Sequence, residues 1–140
     1  MTEHGFPIPP HAPPEVIAER NKVADAVVRE LLRTGLPAYR GDDDEGPRGE
    51  IGAEVHVEPF DTGAVYVDWN ITEELRDSAL SLFEKGIDPS DPPPEFRHYG
   101  AVHQHMRDAL LGILESAGFE AEPADGHTHG GAIRVNAFRY

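Results

Sequence analysis

The groups with chemical potential in this 140-residue chain are eight histidines and 26 carboxylates, and their spacing decides which chemistry is open to them. His127 and His129 form a His-x-His step, which in an extended segment points both imidazoles to one side, with Asp125 close by. Two ligands do not complete a metal site, so a centre would need His127, His129 and a third group, for which His56 is the candidate. The competing reading is a glycine-rich loop that happens to hold histidines, and no cofactor is expected. His98 and His105 lie seven apart on one flank of an expected helix, with His103 beside its apolar stripe. They lack the i, i+4 spacing that a helical zinc pair uses.

A second group carries acid–base potential. Ile51, Ala53, Val55 and Val57 alternate with Gly52, Glu54, His56 and Glu58. After a short turn, Val65, Val67 and Trp69 alternate with Tyr66 and Asp68. Alternation with period two predicts a hairpin with one apolar face, the other bearing Glu54, His56, Glu58, Tyr66 and Asp68. In a catalytic reading His56 is the base or acid, Asp68 or Glu58 orients it, and Tyr66 donates a hydrogen bond. In a binding reading Glu54, Glu58 and Tyr66 form part of a partner surface. The plainest reading is a sheet face left in water.

Asp61-Thr62-Gly63, followed by Ala64, resembles the active-site motif of the aspartic proteases. The likeness spans four residues and implies an almost wholly β fold with two such aspartates brought together. The three helices expected below weigh against it, and Asp, Thr and Gly are common in hairpin turns. No glycine-rich phosphate loop opens a helix and no Gly-x-Ser-x-Gly occurs, so nucleotide-binding and serine-hydrolase chemistry find no support. The absence of cysteine removes thiolate catalysis and disulfides.

A net charge of −14 and ten arginines scattered among carboxylates leave no basic patch for phosphates. Direct nucleic-acid binding is not expected, whereas a basic protein would be drawn quickly to such a surface. No run approaches the roughly 18 apolar residues of a membrane span, and Met1 to Pro14 lack both a basic segment and an apolar stretch. A cytoplasmic location without membrane contact is expected.

The elements that must position these groups follow from periodicity and punctuation. Residues 1–14 hold five prolines and read as a flexible leader. Residues 15–140 are expected to form one α+β domain. A helix with Val23, Ala24, Val27 and Leu31 on one side ends at Gly35. The loop 40–50 carries the acidic run Asp42, Asp43, Asp44 and Glu45. A second helix, capped by Asn70, runs to Gly86, and residues 87–95 form a Pro-rich linker. A third helix from about Phe96 to Ala117 looks the most buried, and two short strands at 119–123 and 132–138 close the chain. The expectation is three helices on one face of an antiparallel sheet of about four strands, in the order αββααββ.

Function is expected to be that of an immunity-type inhibitor or accessory factor. It would engage a basic partner through Asp42, Asp43, Asp44, Glu45, Glu54, Glu58 and Tyr66. The alternative is a small tailoring enzyme using His56, Asp68, Glu58 and Tyr66. Exposed strand edges also leave a homodimer open.

Overall fold

The computed structural model describes residues 10–42, 50–86, 90–91, 93–124 and 132–138. The chain is of the α+β class, with elements α1 (Pro14–Arg33), β1 (Ala38–Arg40), β2 (Gly52–Val57), β3 (Val65–Asn70), α2 (Glu73–Glu84), α3 (Pro94–Ser116), β4 (Phe119–Pro123) and β5 (Ile133–Phe138). The strands form one mixed sheet in the order β1-β2-β3-β5-β4, with β1 parallel to β2 and every other pairing antiparallel.

Helix α1 begins without a side-chain cap. Pro13 is its N-cap and Pro14 its first residue, so the start presents fewer orphan N–H groups than usual. The helix stops where Gly35 takes φ 94°, a conformation that side chains rarely tolerate. Gly35 N then donates to Leu32 O at 3.1 Å and Leu36 N to Leu31 O at 3.0 Å, closing the last turn. This turn delivers the chain directly into β1. Gly52, at φ 117°, opens β2 where an added Cβ would stand 2.6 Å from Pro37 O, so β1 and β2 can meet only at a residue without a side chain.

One aliphatic layer holds these parts together. Val23, Ala24, Val27 and Leu31 of α1 and Leu110 and Leu114 of α3 pack on Ala53, Val55, Val65, Val67, Ile133 and Val135 of the sheet, with Phe119 at the edge. Among the described residues no polar or charged side chain is buried in this layer. Among the described residues no helix is long and apolar enough to cross a bilayer.

Several expectations are corrected. The sheet has five strands and is mixed, and the chain order is αβββααββ. The three-residue β1 was missed because it is too short to show a period-two signal and follows Pro37. Only α1 and α3 cover the sheet, while α2 lies against α3 and, among the described residues, approaches no strand. Helix α3 is less buried than its stripe implies: Leu110 and Leu114 are buried, while Tyr99, Val102 and Met106 are half-exposed. The cap of α2 is Thr72, whose Oγ1 accepts from Leu75 N at 3.2 Å, whereas Asn70 ends β3. Residues 10–13 are docked, since Ala12 N donates to Pro59 O at 2.9 Å and Asp61 N to Pro10 O at 2.8 Å. Residues 1–9 of the expected leader, most of the acidic loop, and residues 87–89 and 92 of the expected 87–95 linker lie outside the described residues, and the linker is shorter than expected because α3 begins at Pro94.

Truncating Leu114, which is 0% exposed, is expected to cost about 3 kcal/mol. Truncating Leu80, which is 52% exposed on α2, should stay within about 0.5 kcal/mol. Urea unfolding of the two alanine variants measures both, and equal losses would contradict this placement of the core.

Candidate functional site

Because strands alternate, committing the apolar residues to the helices sends the intervening ones to the opposite face. Register then brings them together. Glu54 pairs with Asp68 and His56 with Tyr66 across β2 and β3. Tyr66 stands opposite Arg134 of β5, and Arg134 opposite Glu122 of β4. Tyr39 of β1 stands beside Glu54. The sequence-predicted set Glu54, His56, Tyr66 and Asp68 is therefore one cluster, with Glu58 just beyond the end of β2.

The centre of this face is not simply wet. Tyr66 is 4% exposed and Tyr39 9%. The Tyr39 hydroxyl donates to Glu50 O and accepts from Asn70 Nδ2, both at 2.8 Å. Burial pushes its pKa above the usual tyrosine value; the Asn70 hydrogen bond works in the opposite direction and the Glu54 charge adds to the rise. The His56 ring stacks on Tyr66 with centroids 5.7 Å apart and planes 24° apart. Among the described residues this stacking is the contact that His56 makes, and no carboxylate hydrogen bond orients the imidazole. At the far edge Arg134 Nε donates to Asn136 Oδ1 at 2.9 Å, and Asn136 Nδ2 reaches Glu122 Oε1 at 3.4 Å. A β-bulge near Asn136 aims that amide: Glu120 pairs with Ala137 and Ala121 with Val135, leaving Asn136 as the extra residue.

Two arginines fix the rim. Arg20 of α1 donates through Nη1 to Glu58 O at 2.8 Å and Phe60 O at 2.6 Å, and through Nη2 to Asp61 O at 3.4 Å. The Asp61-Thr62-Gly63 turn is thus held by its backbone between Arg20 and the 10–12 segment, with Asp61 exposed at a hairpin tip. Its likeness to a protease motif stays at four residues of sequence. Arg40 of β1 donates to Asp25 Oδ1 at 2.7 Å, to Asn21 Oδ1 at 2.8 Å and to both oxygens of Asp42, at 2.9 and 3.0 Å. Asp42 Oδ2 also accepts from Val57 N at 3.0 Å.

Asp42, expected among the partner-binding acids, is therefore occupied within the chain. Asp43, Asp44 and Glu45 lie outside the described residues. So do His127 and His129, and among the described residues no group of three His, Cys, Asp or Glu could hold a metal ion. Arg20, Tyr39 and Arg40 escaped the sequence reading, and Asn70 was read only as a helix cap, because hydrogen bonds between distant segments leave no local spacing. Arg134 was within reach, since it alternates with Ile133 and Val135. The chain matches no known family model, and neither curated proteins nor solved structures gave a match.

Burial alone would raise the Asp42 carboxyl, but hydrogen bonds from Arg40 and Val57 N, together with the Arg40 charge, hold it below the ordinary aspartate value. A lowered folded-state pKa contributes stability above the unfolded value, about 3.9, and loses it as pH falls through the folded value. Asp42→Asn is expected to be about 1 kcal/mol less stable than the parent near neutrality, since the residue is exposed. The gap should close below about pH 4. Urea midpoints of both proteins at a series of pH values measure this, and a gap that widens on acidification would refute the sign.

Proposed function

We propose that the chain is an acidic binding protein, of the immunity, inhibitor or accessory-factor type, that takes a basic protein partner on the sheet face opposite its helices. The observation that carries this reading is the pairing of Glu54 with Asp68 across β2 and β3, with Glu122 on β4 beyond Arg134 of β5 and Glu58 at the end of β2. The chain as a whole bears a net charge of −14. Carboxylates fixed on a sheet lose little conformational freedom on binding, and a long-range field of one sign speeds encounter with a cationic partner. His56, stacked on the buried Tyr66, supplies an aromatic group to the same surface. Asp43, Asp44 and Glu45 are proposed to extend it from the loop after β1.

The partner is proposed to be a different chain. Pairing of two β4 edges would set Glu120 and Glu122 against their own copies, and like charges across a strand pair are destabilising. The alternative of a small tailoring enzyme needs an oriented imidazole, whereas the described contact of His56 is a ring stack, which favours the binding reading.

The test starts with low-salt capture of partners from the native cell, followed by association kinetics on the purified pair. Glu54→Gln combined with Asp68→Asn and Glu122→Gln is expected to slow association about tenfold or more while changing dissociation less. Raising ionic strength from about 0.05 to 0.5 M should weaken the parent complex in the same way. Association indifferent to salt and to these substitutions would exclude the electrostatic surface.

A further inference from the structure

A recess of about 180 Å³ opens between α3 and β3, where residues of both sides of the sheet meet. Its floor is the core residues Val67 and Leu110, and Trp69, Asn70, His103 and Arg107 rise around it. His103 and Arg107 are four residues apart on α3, so both leave the same flank of the helix. Tyr99, one turn earlier, packs on His103 with ring centroids 4.9 Å apart and fixes where that imidazole stands.

Arg107 is the group out of balance. Its Nε is buried with no acceptor, alone in this among the described residues. The neighbouring Asp108 Oδ1 stands 4.0 Å away, beyond hydrogen-bonding distance. The other rim arginines differ: Arg20 and Arg40 each hold several acceptors. Nε is closed to solvent while the side chain as a whole is 28% exposed, so a ligand would meet the outer guanidinium nitrogens, whose planar fork suits a carboxylate or a phosphate oxygen. Glu54 and Asp68 also border the recess, but both have partners of their own. Their charges disfavour a dianion beside them, which selects a singly charged carboxylate over a phosphate. Trp69 offers a flat apolar wall for the rest of such a molecule.

We propose that this recess binds a small organic monocarboxylate, its carboxylate on Arg107 beside His103 and its planar or apolar body against Trp69. The site has its own ligand and its own residues in Arg107, His103 and Trp69, which take no part in the acidic-face reading, although Glu54 and Asp68 border both.

Trp69 is the only tryptophan of the chain, so its emission reports on this recess alone. The full chain is titrated with benzoate, and in parallel with benzamide, benzylamine and phenyl phosphate. The expected result is a saturable change in Trp69 emission with benzoate, with one-site stoichiometry by calorimetry. Affinity should fall about tenfold or more in Arg107→Gln and for benzamide, and recover in part in Arg107→Lys. Arg107→Gln should keep the parent's urea midpoint, since Arg107 makes no hydrogen bond in the described fold; should that variant not fold, His103→Ala and Arg107→Lys give the reading. No saturation by benzoate up to about 10 mM overturns the proposal. So do unchanged affinity in the variants, equal binding of benzamide, and preference for benzylamine or phenyl phosphate.

Discussion

The aliphatic layer between two helices and one side of a twisted sheet is the constraint from which the other features of this molecule follow. Since α1 and α3 both press on the same side, every strand must turn its Val, Ile and Ala residues that way. The pleat then leaves no choice for the residues between them. Glu54, His56, Tyr66, Asp68 and Arg134 share the other face because the core claimed their neighbours, and the antiparallel register of β2, β3 and β5 brings them side by side. A slip of one residue in that register would bury two carboxylates under α1 and expose Val55 and Val67, which the core energy forbids.

Around this layer a few arginines tie segments that are far apart in the chain. Arg20 joins α1 to the β2–β3 turn through three carbonyls, and Arg40 joins β1 to α1 and to Asp42. Both ties serve elements that the core does not hold well: a hairpin tip and a three-residue edge strand. In a chain with 26 carboxylates an arginine has many possible partners. Those at the rim are nevertheless matched to particular backbone and carboxylate oxygens, which a lysine could not satisfy with one nitrogen. Against this background Arg107, whose buried Nε has no hydrogen-bond acceptor, stands out.

The two candidate sites offer different chemistry. The side away from the helices carries Glu54, His56, Tyr66, Asp68 and Arg134, and is proposed to meet a large cationic surface. The recess beside α3 is smaller, with Val67 and Leu110 at its floor and Arg107, His103, Glu54 and Asp68 around it, and is proposed to take a small anion on Arg107.

The local parts of this structure were legible in the residues. Apolar spacing marked α1, Gly35 marked its end, and the alternation at 51–58 and 65–69 marked both β2 and β3 and the polar set they carry. Those features depend on neighbours within a turn or two, where sequence spacing and spatial distance coincide. The strand β1, its parallel partner, the packing of α2 on α3 alone, the burial of Tyr66 and the ties made by Arg20 and Arg40 were decided only by the tertiary structure. Each depends on which distant segments meet, and nothing local fixes that: a three-residue strand has no period to read, and an amphipathic helix shows that it has an apolar stripe without showing what will cover it.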